Sequence, residues 1–325
     1  MSTSQAFTDV NQQIKKLKDR GLNFQNLVVA KAYLLYYGYF NIINGYKDLY
    51  ITKYINDDGI EDEKYKDNVF FEEIMNLYNF DSLLRTELMG ILLDLEIHLK
   101  SVLSYVLADN FTSEQSKYLD PLKYKNNYKS NSKVNLQNTL AEIKKIANTS
   151  TKDPICYHRT KYSNVPPWVL FKEVYFSTTI NLTKFLKEKQ KDEVVAMFYR
   201  LDNHTFSSIP TLERTSIKQF FMTSLKMLKD FRNACAHGNR IYNFKPSDLY
   251  NYNDYLVLKK YLNIKKNFSP PTTGLEYLII ILSCFGMDHE EYIINNIVKT
   301  LNGHKIAFPN YIEDIKNTIG SQIFN

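Results

Sequence analysis

The sequence predicts an all-α protein, and three observations support that fold class. Apolar residues recur at spacings of three and four over long stretches, as they do on the buried face of an amphipathic helix. Glycine and proline, which end helices and form turns, number only 10 and 9 among 325 residues. The hydrophobic fraction of 44% supplies a sizeable core. A chain of this length forms either two domains or one large elaborated domain.

Residues 1–69 are predicted to form an N-terminal helical region. The stretch 10–24 carries apolar residues at helical spacing, and Gly21 predicts the point where this helix stops. The Tyr- and Leu-rich stretch 26–51 predicts one or two further helices that pack inward. Residues 52–68 are polar and rich in turn formers, which predicts a loop or a short β-like excursion.

The strongest periodic signal covers residues 71–111 and predicts one long amphipathic helix. Its apolar residues recur at intervals of three and four: Leu84, Leu88, Ile91, Leu92, Leu95, Leu99, Leu103 and Leu107. Aspartate is a favoured N-cap residue, so the long helix is predicted to begin at Asp81, with a shorter helix before Asn79.

A change in composition marks residues 112–164 as an insertion. This stretch is rich in Lys, Ser and Asn, and one helix is predicted near 134–147. Its excess of Lys over acidic residues makes it a candidate arm for contacting a nucleic-acid backbone. The alternative interpretation is a solvated, mobile loop.

Helical patterns resume at Val165 and continue to the C-terminal region. Further helices are predicted at 251–264, 273–286 and 289–301. The most apolar run, residues 275–287, is shorter than the ~18 residues that a membrane span needs. It therefore predicts a buried helix, and no membrane partner is expected.

Charge and cysteine content narrow the class of partner and the compartment. The net charge of +6 permits binding to nucleic acid but does not identify it. Three cysteines far apart in the sequence, with no CxxC pair, indicate a reducing cytoplasm, and the N-terminus has no apolar signal-peptide core. The 25 Tyr and 20 Phe indicate either a stacking surface for single-stranded nucleic acid or the compositional bias of an A+T-rich coding sequence.

The stretch FRNACAH, residues 231–237, combines side chains that are suited to RNA cleavage. Asn233 and His237 are four apart and share a helix face, whereas Arg232 and His237 are five apart and lie about 140° from each other. Histidine, with an ordinary pKa near ~6.5, can exchange protons with a 2′-hydroxyl or a leaving 5′-oxygen. Arginine supplies a permanently charged planar fork for phosphate. Asn233 would hold the imidazole tautomer or contact the phosphate.

No metal is expected at this motif, because His237 has no Cys, Asp, Glu or His neighbour on its own helix face. An Arg–His pair at this spacing also arises by chance, so the spacing alone leaves open a structural helical protein that interacts with partners. A second stretch, RLDNH at 200–204, has one residue too few between Arg200 and His204 and is interpreted as structural.

The whole stretch FRNACAHGNRIYN, and not only its Arg–His spacing, resembles the signature of the Abi-like abortive-infection proteins of the AbiD and AbiF type. This is a family of the HEPN ribonuclease superfamily. The matching residues are Arg232, Asn233, Cys235, Ala236, His237, Arg240, Tyr242 and Asn243. Further blocks at 12–24, 33–46, 80–108 and 165–186 resemble the family in the same order. The family often has a second histidine at the position where this chain has Gly238.

The resemblance implies a HEPN-like helical core at 70–245, between the region 1–69 and a helical C-terminal region at 246–325, with the motif near a helix start. Since the chain carries one motif, the resemblance implies a homodimer in which two His237 side chains face each other. The implied activity is that of a metal-independent endoribonuclease without a cofactor, which uses 2′-hydroxyl attack and leaves a 2′,3′-cyclic phosphate. The implied role is a phage-defence or toxin–antitoxin effector controlled by a small structured RNA. The alternative is a non-catalytic RNA-binding module of the same fold.

The resemblance also assigns roles to residues around the motif. Arg240 would contact phosphate, Tyr242 would stack on a base, and Asn243 completes the substrate-binding set. The alternatives are a surface ion pair for Arg240 and a core position for Tyr242. Glu96 resembles a family acidic position that orients the motif arginine, although it also stands four residues before Lys100 and could pair with it.

Overall fold

Helices account for most of the chain that the computed structural model describes, which comprises residues 7–57, 59–125, 135–264, 266–285, 289–307 and 311–324. In chain order they begin with α1 (Val10–Asp19), α2 (Leu27–Tyr37), a π-helical turn (Phe40–Asn44) and α3 (Phe71–Phe111). The middle contains α4 (Gln115–Tyr118), a 3₁₀ turn (Pro121–Lys123), α5 (Leu136–Thr149), α6 (Ile155–Tyr162), α7 (Pro167–Leu170), α8 (Phe176–Phe185), α9 (Glu188–Phe198) and α10 (Asn203–Ser208). The remainder is α11 (Thr211–Ala236), α12 (Tyr252–Lys259), α13 (Gly274–Ser283), α14 (His289–Ala307), α15 (Ile312–Ile319) and a 3₁₀ turn (Ser321–Ile323). The all-α prediction is confirmed.

A single β-hairpin interrupts the helices of the described residues. Strands β1 (Ile51–Ile55) and β2 (Glu61–Tyr65) pair antiparallel, with Ile51 opposite Tyr65. Most of the hairpin side chains are exposed, and Tyr65 is buried at its base. The prediction of a short β-like excursion in this stretch is confirmed.

The ends of α1 follow from its sequence. The carboxylate of Asp9 accepts hydrogen bonds from the backbone N–H groups of Asn11 and Gln12 at 2.8 and 2.9 Å, and Oε1 of Gln12 accepts one from the Asp9 N–H. This is a capping box, which satisfies amide groups that the first helical turn leaves unpaired. At the other end, Gly21 adopts φ +90°, which glycine tolerates better than other residues, so the predicted stop is confirmed.

Helix α3 fills the predicted stretch 71–111 as one helix and begins ten residues before Asp81, the predicted cap. It runs without a break for 41 residues, a length of about 60 Å, and all eight predicted apolar positions on it are buried. Its start is set by Glu73, whose carboxylate accepts the Phe70 N–H at 2.8 Å. The prediction that Asp81 caps the helix is therefore wrong. Asp81 lies inside α3 with a fully buried side chain, where the chain does not need a cap.

The chain forms two compact units. Unit 1 is built from three segments, Met1–Thr86, Gly238–Asn243 and Ile294–Asn325, and unit 2 from Glu87–His237 and Phe244–Ile293. The predicted division of the chain at residues 69 and 245 stays a prediction.

Within unit 1, early and late parts of the chain share a core. The ring of Tyr50 meets that of Tyr311 edge-on, with centroids 4.8 Å apart, and Tyr50 is fully buried. The ammonium of Lys66 lies 5.4 Å from the centre of the same Tyr311 ring. Such edge-to-face and cation–π contacts add to the free energy gained by burying the rings.

Within unit 2, the lysine-rich insertion is largely helical and packed. The predicted helix near 134–147 is confirmed as α5, whose Leu140 and Ile143 are buried, and Thr178 of α8 donates a hydrogen bond to Glu142 at 2.8 Å. The Arg159 guanidinium of α6 donates to carbonyl oxygens at the end of α5. The alternative of a solvated loop is therefore wrong for residues 135–162, and residues 126–134 lie outside the described part of the chain.

The most apolar run of the sequence forms α13, and nearly all of its residues are buried. The prediction of a buried helix is confirmed. Across the described ranges, no helix combines the length and the apolar character that crossing a bilayer requires.

Lys191 of α9 gives the free energy of unfolding a predictable pH dependence. Its ammonium donates to the Lys184 carbonyl oxygen at 2.9 Å, and burial, together with the charge of Lys125, lowers the pKa of Lys191 from 10.5 to about 8. Between these two values the unfolded chain binds this proton and the folded protein does not. The contribution of Lys191 to the free energy of unfolding therefore rises with pH across that interval.

We expect the Lys191→Met variant to lose this part of the pH dependence. Urea midpoints at pH 7.5 and 9.5 should rise more in the parent protein than in the variant. An identical change in both proteins would show that Lys191 titrates as it does in the unfolded chain.

Candidate functional site

The Arg–His motif occupies the C-terminal end of α11. The helix ends at Ala236, His237 is the residue that follows, and Gly238 adopts φ +69°. A glycine in this left-handed conformation directly after the C-cap is a common helix stop. The expectation that the motif lies near a helix start is therefore wrong, because Gly238 ends the helix immediately after the motif.

Two motif residues line an open cleft of unit 2 with a volume of about 310 Å³. The cleft is formed by residues of α3, of the segment before α8, and of α11. Its cationic side chains are Lys100, Lys172, Lys229 and Arg232, and its carboxylates are Glu96 and Glu173. Asn233 and Tyr175 also line it. The excess of cations gives the cleft the charge that attracts an anion.

Glu96 lies beside the motif arginine at the base of this cleft. One carboxylate oxygen pairs with the Lys100 ammonium at 2.7 Å, and the other lies 3.5 Å from Nε of Arg232. Oε2 of Glu96 and Nε of Arg232 are both buried and have no hydrogen-bond partner in the described residues. The Glu96 carboxylate therefore faces both cations. It pairs with Lys100 and it also lies next to Arg232, so the two predicted contacts occur together.

The terminal nitrogens of Arg232 form little hydrogen bonding with the described residues. Among the described residues their hydrogen bonding consists of one long contact, from Nη1 to Oδ1 of Asn233 at 3.4 Å. A guanidinium that has spare donors and is backed by a buried carboxylate is suited to binding a phosphate group.

His237 follows one helical turn after Asn233. Its backbone N–H donates to the Asn233 carbonyl oxygen at 3.0 Å, and its side chain is exposed. Within the described residues the imidazole forms no hydrogen bond or ion pair. Both ring nitrogens are therefore open to a ligand, as proton transfer to or from a substrate requires.

The residues after the motif belong to unit 1 and have internal partners. Arg240 donates to the Gly45 carbonyl oxygen at 2.7 Å and pairs with Asp48 at 3.1 Å. The Tyr242 ring is 1% exposed and stacks on Tyr46 with centroids 5.8 Å apart, and burial raises the pKa of Tyr242 to about 12. Arg240 thus forms a surface ion pair and Tyr242 is a core aromatic residue, as the alternative interpretations predict. Asn243 is half-buried. In this conformation the Tyr242 ring cannot stack on a base.

A buried carboxylate on α3 holds this segment in place. Asp81 accepts hydrogen bonds from the backbone N–H groups of Ile241 and Tyr242 at 3.0 and 2.7 Å, from the Tyr46 hydroxyl at 2.6 Å, and from the Arg85 guanidinium at 2.6 Å. Burial raises the pKa of Asp81, while these hydrogen bonds and the Arg85 charge act in the opposite direction. The network fixes the backbone that directly follows Gly238.

A comparison with family profiles identifies the family of this chain. The profile of the Abi-like protein family matches residues 32–243, well over half of the chain. This chain is a member of the Abi-like protein family. The match extends from α2 to the end of the segment held by Asp81, and helices α12 to α15 lie beyond it. No curated protein and no solved structure gave a significant match.

Several residues of the candidate site are not evident from the sequence. The pattern does not mark the cleft residues Lys172, Glu173 and Lys229, although Lys229 stands three residues before Arg232 and so shares its helix face. Asp81 was assigned to the wrong role. The sequence does contain a sign of its true role. Arg85 stands four residues later, and a pair of opposite charges at that spacing within an apolar helix indicates a buried ion pair.

Clusters of His, Cys, Asp and Glu side chains are the usual protein ligands of metal ions. In the described residues, no three or more His, Cys, Asp or Glu side chains converge in such an arrangement. The carboxylates of the cleft, Glu96 and Glu173, lie instead among four cationic side chains.

Proposed function

We propose that this Abi-like protein is a cytoplasmic, metal-independent endoribonuclease of the HEPN type, acting as the effector of an abortive-infection or toxin–antitoxin system. One observation carries the proposal. Arg232 and Asn233 line a basic open cleft, and His237, whose imidazole has no partner among the described residues, follows one helical turn after Asn233. Side chains suited to phosphate recognition and to proton transfer thus lie on neighbouring turns.

The cleft would hold the RNA backbone through its cations. Lys172 and Lys229 would supply point charges to flanking phosphates, and the Arg232 fork would bind the scissile phosphate. Glu96 would act as a positioning residue, because its buried carboxylate faces the Nε edge of Arg232 and leaves the terminal nitrogens for the substrate. The charge that develops on the phosphate during reaction would be stabilised by the same guanidinium.

The chemistry needs one base and one acid. A neutral His237 imidazole removes the proton from the 2′-hydroxyl, whose oxygen attacks the adjacent phosphorus. The bond from phosphorus to the 5′-oxygen breaks, and a protonated imidazole gives its proton to that oxygen. The products are a 2′,3′-cyclic phosphate and a 5′-hydroxyl end.

A homodimer would supply the second imidazole. The motif contains one histidine, since Gly238 occupies the next position. Two copies related by a two-fold axis would bring two His237 side chains to one scissile bond, one as base and the other as acid. A bound small RNA would control access to the site, and the basic insertion at 112–164 is the candidate surface for it.

Replacing His237 with alanine is expected to reduce RNA cleavage by roughly 10²–10⁴-fold, the usual contribution of a general acid or base. The measurement uses purified full-length protein, an end-labelled single-stranded RNA and excess EDTA. Product ends are assigned by their sensitivity to phosphatase before and after acid opening of the cyclic phosphate. An oligonucleotide that is 2′-deoxy throughout should remain uncut.

The matched control is His204→Ala, which removes an exposed histidine of α10 in unit 2 outside the motif. It should cleave at the parental rate. Cleavage that persists in His237→Ala, or that stops in EDTA, would refute the proposed chemistry. Tight RNA binding by the parent protein without any product would identify instead a non-catalytic RNA-binding module.

A further inference from the structure

A second pocket of unit 2 lies next to the basic cleft and has a different character. It encloses about 760 Å³ and is lined mainly by apolar surface from the C-terminal half of α3 and from the region of α7. Three large side chains on its wall are unusually exposed for their type: Trp168 at 54%, Tyr105 at 60% and Ile97 at 63%. Trp168 is the only tryptophan of the chain.

The pocket and the cleft are adjacent, because Lys100 and Lys172 line both. An apolar, aromatic cavity is thus joined to the site of Arg232 by a wall that carries two cations. The ammonium of Lys100 is also the partner of Glu96, which ties this wall to the base of the cleft.

We propose that this pocket binds one base of the RNA whose phosphate occupies the cleft. The inference rests on the proposed function and adds a base-binding subsite to it. Nucleobases have flat apolar faces and are joined to phosphates, so a ligand that fits both cavities needs an aromatic ring and an anion one short linker apart. Exposed Trp and Tyr rings are the side chains on which single-stranded bases stack.

The polar groups of the pocket fit a base edge. The side chains of Ser101 and Asp109 are exposed on its wall and form no hydrogen bond within the described residues, so they are open to a ligand. Ser104, by contrast, is buried and donates to the Lys100 and Pro167 carbonyl oxygens. Recognition of the base would therefore use Ser101 and Asp109, with Ser104 as part of the pocket floor.

Charge favours RNA over a second copy of this chain as the occupant. Lys100 and Lys172 on the wall shared with the cleft attract an anion, and the net charge of +6 adds to that attraction. RNA brings phosphates to these lysines and bases to the rings, which matches both parts of the surface.

Trp168 reports directly on the proposal through its fluorescence. The full-length His237→Ala protein is titrated with a 2′-O-methyl oligonucleotide, which cannot be cleaved, and with an abasic oligonucleotide of the same length. The base-containing oligonucleotide is expected to quench Trp168 to saturation, whereas the abasic one should bind, as seen by anisotropy of a terminal dye, without quenching. Tyr105→Ala should weaken binding of the first oligonucleotide by about tenfold and leave the abasic one unaffected.

Tyr292→Ala is the matched control, because it removes an equally exposed ring of unit 2 outside the pocket. It should bind both oligonucleotides as the parent does. Equal quenching by both oligonucleotides, or binding by anisotropy with no change at Trp168, would overturn the inference. The proposed function would still stand if the protein with intact His237 cleaves RNA. A Trp168 signal that changes with protein concentration alone would overturn it in favour of a second copy in the pocket. Absence of both binding and cleavage would refute the proposed function itself.

Discussion

Replacing Asp81 with alanine is expected to lower the free energy of unfolding by about 3–5 kcal/mol, the range found when one partner of a buried ion pair is removed. The Asp81 side chain is fully buried, and that of Arg85 is 10% exposed. The substitution leaves the guanidinium without its counter-charge and the N–H groups of Ile241 and Tyr242 without an acceptor. Equilibrium unfolding in urea, followed by circular dichroism, measures the change.

A double-mutant cycle separates the charge from the hydrogen bonds. Asp81→Asn keeps one acceptor oxygen but no charge, and Arg85→Met removes the cation. We expect the double variant to lose less stability than the sum of the single losses, because Met leaves no unpaired charge. Glu61→Gln is the control, since it removes an exposed ion pair with Lys53 and should not change the midpoint measurably. Strictly additive losses at Asp81 and Arg85 would show that the two side chains do not interact.

Gly274→Ala is expected to lower the free energy of unfolding by at least about 3 kcal/mol, at the upper end of the cost of overpacking a core. A Cβ atom at this position would lie 2.0 Å from the Phe244 carbonyl oxygen and 3.1 Å from its carbonyl carbon. These are backbone atoms, so the clash cannot be relieved by turning a side chain. Gly274 also begins the buried helix α13, which would have to move as a whole.

Gly90→Ala provides the contrasting case within unit 2. Gly90 is an exposed residue of α3, and a Cβ atom there meets no other atom within 4 Å. We expect this substitution to raise the free energy of unfolding by about 0.5–1 kcal/mol, because alanine loses less backbone entropy in a helix than glycine. Urea unfolding of both variants gives the comparison. If the two substitutions had equal effects, the close approach of Phe244 to Gly274 would be disproved.

The sequence predicts the helices well because their signal is local. The apolar spacing of α3, the glycine that ends α1 and the apolar run of α13 each depend on residues within a few turns. The sequence predicts the start of α3 at Asp81 instead of Phe71 because the contacts of Asp81 are not local. Asp81 has the chemistry of an N-cap, but its carboxylate is used by amide groups 160 residues later in the chain.

The candidate site was predicted in part. The Arg232, Asn233 and His237 set follows from one contiguous stretch, and the position of Glu96 beside Arg232 came from family resemblance. The lysines of the cleft are not evident from the sequence because α3 and the segment before α8 contribute one cationic side chain each and α11 contributes two. Nothing in the local pattern of Lys172 distinguishes it from an ordinary solvated lysine.

Unit 1 combines segments that lie far apart in the sequence, so it cannot be completed until residues 294–325 have been synthesised. Tyr50 finds its ring partner Tyr311 only after residues 294–325 have been made, and the intervening 87–293 take about 10–40 s to translate at ordinary elongation rates. Until then, the segment before residue 87 keeps apolar surface that chaperones and proteases can bind. Messages truncated before codon 294 should therefore yield chains that are degraded quickly.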